Sequence, residues 1–395
     1  MSLFAHVKMA PSDPILGLTA AYQKDPRKNK INLIAGVYKT EELTTPVLSC
    51  VKKAEEMILA SELSKNYLPI EGDARYLQSA CSLVLGKKLY EMHHPLLSAV
   101  QTIGGAGALR LGGELIRQEI SDRIYIPDPS WPNHRGIFSQ CRLHVDHYPY
   151  YQASNKGIDF ELLREYLSSL QRQSVILLHA CCHNPSGHDL TKEQWRVLAK
   201  LCKEKQLIPF FDAAYLGFDV GFEEDCFPIR HFMEEEIESF LAVSFSKNLS
   251  LYAERVGFLM VYSKKAPEVF SQLLVLARRN YSNPPLHGAS ILSLLLQKKD
   301  LQELWMQELF LMRERIQNNR KRFVSLLSYA NKSYDCLLHQ KGLFAFLGLQ
   351  EEQVQSLIQT HAIYMPSDGR MNLAGLTQEN MARVVAAIVD VERGL

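Results

Sequence analysis

The chain has 395 residues, beyond the ~250–300 at which a single core usually stops growing, so one large domain with a smaller companion is expected. Its 44 Lys and Arg against 43 Asp and Glu leave no net field to draw it onto nucleic acid or an anionic membrane. With 47% hydrophobic and 22% charged residues it is not a disordered or fibrous chain.

Met1–Pro11 carries one lysine, Lys8, and no continuous apolar stretch, so it lacks the layout of a secretory signal. No later run approaches the ~20 apolar residues a membrane helix needs, and a cytoplasmic location is the expectation. No internal repeat or Gly/Ser linker interrupts the chain, so a second domain must pack against the first.

Gly104-Gly105-Ala106-Gly107-Ala108-Leu109-Arg110 opens an amphipathic helix running to Ile116. The free amides and dipole of such a helix start suit a phosphate. The cluster fails the dinucleotide pattern because Arg110 stands where a third glycine is needed, and neither G-x-x-x-x-G-K-[ST] nor G-x-S-x-G occurs.

Short apolar runs follow at Arg123–Ile126, Ser174–Ala180, Leu207–Phe211, Leu241–Phe245 and Val256–Tyr262, several separated by amphipathic stretches such as Lys192–Lys203. That alternation predicts an α/β fold, a mostly parallel sheet with helices on both faces. Trp131 and His134, after the first run, fit either a ring-covering aromatic with a supporting imidazole or plain core. The eight cysteines are scattered apart from Cys181 and Cys182, the pattern of reduced core thiols. A metal site at His179, Cys181, Cys182 and His183 is disfavoured, because adjacent strand residues face opposite ways.

Polar residues follow several runs, and open α/β sheets bind ligands at the carboxyl ends of their strands. Asn184 lies in Asn184-Pro185-Ser186-Gly187, also a good turn. Asp212 emerges from an apolar strand, costly unless it meets a cation, though a helix N-cap reads equally well. Tyr215 follows it. Lys247, in Ser244-Phe245-Ser246-Lys247-Asn248, sits behind another strand, where burial would lower its pKa and make it a nucleophile toward aldehydes. Arg255 is eight residues on and suits a two-pronged phosphate contact; a solvated surface charge is the ordinary alternative for it and for Lys247.

Leu301, Trp305, Leu309, Met312, Ile316, Phe323 and Leu327 recur at helical spacing, predicting one long helix that bridges two domains. An apolar run at Gly342–Leu347 and a helix over Gln378–Val391 then predict a small α/β domain, joined by the N-terminal segment. The expected division is 1–43 with the small domain, 44–300 as the large domain, and 301–395 as bridging helix and small domain.

These segments closely resemble the class I aspartate aminotransferases over nearly the whole chain. The likeness includes Ala10-Pro11-Ser12-Asp13-Pro14-Ile15, Gly36-Val37-Tyr38-Lys39, Asn66-Tyr67-Leu68, Cys182-His183-Asn184-Pro185, Tyr281-Ser282-Asn283-Pro284-Pro285 and Gly369-Arg370-Met371-Asn372. The resemblance implies a fold type I transferase that binds pyridoxal 5'-phosphate and forms a homodimer with shared active sites. It implies that Lys247 carries the cofactor and moves the proton, that Asp212 keeps the pyridine nitrogen protonated, and that Tyr215 and Asn184 tune the ring oxygen. Ser244, Ser246, Arg255 and the amides of Gly105 and Ala106 would hold the phosphate, joined by Tyr67 of a second subunit. Trp131 would stack near the cofactor, with His134 behind Asp212.

By the same resemblance Arg370 clamps the substrate α-carboxylate, with Gly36, Trp131 and Asn184 around it, and Arg278 of the second subunit clamps a side-chain carboxylate. The implied reaction exchanges the amino group between aspartate and 2-oxoglutarate by a ping-pong cycle. Ala106 departs from the Thr or Ser usual in relatives, removing one hydroxyl contact to the phosphate. Val37, Lys39, Asn66 and Asn283 match the aspartate side of the family, while Ala106 leaves an aromatic or broad-range aminotransferase open. The fold alone also admits a lyase or a non-catalytic cofactor-binding module.

Overall fold

Seven strands carry the middle of the chain in the computed structural model, which describes residues 2–9, 14–62 and 64–393. They are β1 (Leu97–Ile103), β2 (Arg123–Asp128), β3 (His144–Pro149), β4 (Val175–His179), β5 (Ile208–Ala213), β6 (Ser239–Ser244) and β7 (Val256–Tyr262). They hydrogen-bond in the order β1-β7-β6-β5-β4-β2-β3. All run parallel except β7, which pairs antiparallel with both β1 and β6.

Every residue of β4 and β7 is buried, as expected for strands covered on both faces. Alternation along β5 divides the interior: Phe210 joins the cluster with Leu109, Ile116 and Phe138, while Phe211 joins the larger cluster with Trp195 and Phe232. The helix Gly104–Glu119 packs on the first face and Lys192–Lys205 on the second, where a Thr191–Gln194 capping box starts it.

The long helix spans Lys299–Tyr329, and all seven apolar residues of its predicted stripe are buried. It also grips the C-terminal strands with polar side chains. Arg320, buried within it, donates to the carbonyls of Gly342 (2.7 Å) and Phe344 (3.0 Å), while Asn319 donates to those of Leu373 and Leu376. Two short pairings complete this region. Phe344–Phe346 runs antiparallel to Arg370–Asn372, and Ile31–Asn32 runs parallel to Ile363–Tyr364, bringing the N-terminal segment to the C-terminal one.

Sequence patterning missed two strands of the seven-stranded sheet. β3 is a polar edge strand bonded only to β2, so no apolar run marks it; β1 mixes Ser98, Gln101 and Thr102 with apolar residues and reads as neither pattern. The last helix spans Met381–Arg393, and the predicted start at Gln378 falls in the turn leading into it, where Thr377 and Asn380 exchange hydrogen bonds and the Met381 amide donates to the Thr377 carbonyl at 3.1 Å. Cys181 and Cys182 lie in a turn after β4 and not on the strand, and all eight cysteines are free thiols. Among the described residues no helix is long and apolar enough to cross a membrane, and no group of His, Cys, Asp and Glu could hold a metal ion.

Candidate active site

The carboxyl ends of β4, β5 and β6 open onto one cavity of about 440 Å³. Its wall includes Gly36, Gly105, Ala106, Trp131, Asn184, Asp212, Tyr215, Ser244, Ser246, Lys247, Arg255 and Arg370, which gathers twelve sequence-predicted residues at one place.

Asp212 is carried on β5 itself, opposite His179 of β4, so it is a strand residue and not a helix N-cap. Its Oδ2 lies 2.9 Å from Nε2 of the fully buried His134, whose Nδ1 lies 2.8 Å from Ser130 Oγ. With Nε2 donating to the carboxylate, Nδ1 accepts from the serine hydroxyl. Burial pushes the Asp212 carboxyl up, but the His134 hydrogen bond and nearby positive groups, Lys247 among them, outweigh it and hold the pKa below the ordinary value. A buried, ionised carboxylate faces the cavity.

Lys247 follows β6 and is partly buried, its Nζ 5.0 Å from the centre of the Tyr215 ring. Burial lowers its pKa, Asp212 opposes that shift, and Arg255 adds to it. Tyr215 is buried too, and desolvation raises its phenol pKa, so the hydroxyl stays a donor at neutral pH. Nothing larger than glycine fits at Gly36, where a Cβ would stand 2.6 Å from Phe344 Cζ and 3.3 Å from the Tyr215 hydroxyl.

The antiparallel course of β7 explains how Arg255 arrives. β7 starts where β6 ends, with Gly257 opposite Ser244 and Val256 opposite Ile103, so Arg255 meets the start of the Gly104–Glu119 helix. The amide of Gly104 donates to the Arg255 carbonyl at 2.9 Å. Gly104 has φ +64°, and a Cβ there would lie 2.5 Å from Arg255 Nη2; at Gly105 it would meet Ser244 Cβ at 3.1 Å. Bare backbone, two serines and a guanidinium thus form a cup for an anion.

On the wall of the same cavity, Arg370 is 4% exposed and lies over the Phe344 ring at 4.3 Å. Its Nη1 donates to Asn184 Oδ1 at 2.7 Å, and its buried Nε has no partner among the described residues. Taking Asn184 Oδ1 as acceptor turns its amide NH2 away from the arginine. A buried cation with a spare donor is matched by a carboxylate.

A family model described as aminotransferase class I and II matches residues 28–388. The chain belongs to that family. An aspartate aminotransferase of Salmonella typhi is 44% identical over 98% of this chain and 100% of its own. The cytoplasmic aspartate aminotransferase of Saccharomyces cerevisiae superposes with a TM-score of 0.96 at 32% identity, covering 99% of each chain. An aromatic-amino-acid aminotransferase from Burkholderia pseudomallei, covalently bound to pyridoxal phosphate, gives 0.94 at 38% identity over 99% of this chain and 100% of that one.

Two predicted residues stand apart from this aminotransferase cavity. Tyr67 is 88% exposed, and Arg278 is exposed with its Nη1 bonded to Ser282 Oγ. Both belong to one neighbourhood, because Asn283 Nδ2 donates to the Leu68 carbonyl at 2.7 Å. The motif beginning at Ala10 lies outside the described residues through Asp13, although Ile15 lines the cavity. Sequence reasoning missed His179, Tyr252 and Phe344 as cavity residues. The Tyr252 hydroxyl accepts from the Tyr38 amide at 2.7 Å, while Asn372 Nδ2 donates to the carbonyls of Ala35 and Val37, and together they position Gly36. Only His179, ending an apolar run, carried a readable signal.

Proposed function

We propose that this aminotransferase binds pyridoxal 5'-phosphate at Lys247 and exchanges the amino group between L-aspartate and 2-oxoglutarate, giving oxaloacetate and L-glutamate by a ping-pong cycle. The observation that carries the reading is one cavity holding a desolvated lysine, a buried carboxylate backed by histidine, a glycine-floored anion cup and a buried arginine with a spare donor. The donor set fits the cofactor: the cup suits its phosphate, Asp212 a protonated ring nitrogen, and Tyr215 with Asn184 the ring oxygen. When bound, pyridoxal phosphate supplies an aldehyde and an electron-accepting ring.

This chain's residues do the rest. Burial favours uncharged Lys247 Nζ, which holds the cofactor and then moves the proton at the substrate α-carbon. Asp212 Oδ holds a proton on the ring nitrogen, with His134 fixing the carboxylate. Arg370 binds the α-carboxylate through Nε and a second guanidinium nitrogen, setting the α-carbon near Lys247. Trp131 covers one wall.

Tyr67 and Arg278, pointing outward together, complete the neighbouring site in a homodimer, the first at the phosphate and the second at the side-chain carboxylate. Residues 44–300 form the cofactor domain, and 1–43 with 301–395 form the bridging helix and small domain. The aspartate relatives support the dicarboxylic substrate, and the Saccharomyces relative supports a cytoplasmic location. Ala106 and the aromatic aminotransferase likeness favour a second reading, aromatic substrates. Turnover of aspartate, tyrosine and phenylalanine with 2-oxoglutarate, in the native chain and in Arg278→Asp, separates the two. Aspartate should be the best substrate and lose far more than the aromatic ones, since only it loses a charge partner; equal losses would remove the clamp.

A further inference from the structure

The turn that carries Asn184 is held from behind by a carboxylate outside the cavity wall. Asp189 Oδ2 accepts from the Cys182 amide at 2.6 Å, and Oδ1 accepts from the His183 amide at 2.9 Å. Asn184 is the next residue, and its Oδ1 receives Arg370 Nη1. The backbone needs this restraint, because Cys182 sits at φ +52°, a left-handed conformation disfavoured for a residue with a Cβ. Gly187 closes the turn by donating to the His183 carbonyl at 2.6 Å, and its own carbonyl accepts from the Lys341 amide at 2.6 Å.

The surroundings make Asp189 a poor place for a charge. Asp219 and Asp225 lie close on the loop and helix after Tyr215, with Tyr150 and Cys182 nearby, and Lys341 places its Nζ 2.7 Å from Asp219 Oδ1. Burial and Asp219 push the Asp189 carboxyl up to about 7, and the two amides work against them. An asparagine there would avoid that conflict but would present one oxygen and one NH2 group where the two N–H groups each meet an oxygen now.

We propose that Asp189 is a positioning residue for the reaction: by clasping the amides of Cys182 and His183 it fixes the turn that presents Asn184 to Arg370 and to the cofactor. The role rests on the aminotransferase reading and lies one step behind it. Asp189→Asn replaces one acceptor with an NH2 group that confronts an amide donor, so one hydrogen bond is lost and the turn shifts.

The test is a double-mutant cycle on pyridoxal-phosphate holoenzyme with Asp189→Asn, Asn184→Ala and the pair, reading KM for aspartate and the pH midpoint of the bound cofactor's visible absorbance. Asp189→Asn should raise KM about tenfold, the worth of one hydrogen bond, and move the midpoint in the same direction as Asn184→Ala. In the Asn184→Ala background it should change neither by more than about twofold. Undiminished effects in that background, or a lowered Tm with KM and midpoint unmoved, would overturn the proposal. Should Asp189→Asn not fold, Asp189→Glu, which displaces the carboxylate by one methylene, enters the same cycle with the same expectation. The midpoint needs only bound cofactor, so a native enzyme that does not turn over aspartate would reject the substrate reading and leave this test standing.

Discussion

Replacing Arg370 by lysine isolates the carboxylate clamp. The arginine is buried, spends Nη1 on Asn184, and has no partner for Nε among the described residues, so two nitrogens remain for a substrate carboxylate while a third holds the asparagine. A lysine amine cannot present that planar fork. It loses one of the two carboxylate bonds, a charged hydrogen bond of about 1.5–3 kcal/mol, while the Asn184 contact is lost from free and substrate-bound enzyme alike and cancels from kcat/KM. The loss corresponds to a fall of about 10- to 10²-fold in kcat/KM. Steady-state kinetics should show that loss for aspartate and glutamate alike, because both carry an α-carboxylate. The half-reaction of a simple amine without a carboxylate should change little, as should cofactor affinity measured by equilibrium dialysis. An equal loss for the simple amine, or an unchanged kcat/KM for aspartate, would refute the assignment.

Gly104→Ala should weaken pyridoxal phosphate binding about 10- to 100-fold, since the new Cβ displaces Arg255 Nη2 and one charged hydrogen bond to the phosphate is lost; a cofactor titration showing native affinity would clear the cup of that role. His188 is buried, and desolvation first, then His339 and Arg320, lower its pKa to about 4. The folded protein therefore keeps it neutral while the unfolded chain protonates near its ordinary value, so its contribution is present at pH 7 and lost as pH falls. Between pH 7 and 5 that loss is about 2 kcal/mol, and denaturant unfolding of native chain and His188→Gln should show their stability difference shifting by that amount. A difference independent of pH would contradict it.

The chemistry was legible where a reactive side chain directly follows an apolar run. Lys247 and Asp212 stand out because a charge beside buried strands is costly, and that cost is a local property of the sequence. Arg255 was legible as a candidate, but its reason was not: it reaches the cup because β7 runs antiparallel to its neighbours. Pairings across long separations left no local trace. His134 meets Asp212 across 78 positions, and Arg370 meets Asn184 across 186. Arg320 looks like one more solvated charge on a helix rich in them, yet it is buried on three carbonyls that chain pattern cannot place beside it. β3 escaped for the opposite reason, being an edge strand with little apolar surface to bury.

The most direct test of the account is where the cofactor becomes attached. Holoenzyme reduced with borohydride, denatured and digested should carry the reduced cofactor's mass on the peptide containing Lys247, and Lys247→Ala treated alike should release its cofactor. Release from the native chain on denaturation, or attachment at any other lysine, would contradict the claim that the amine behind β6 holds the cofactor.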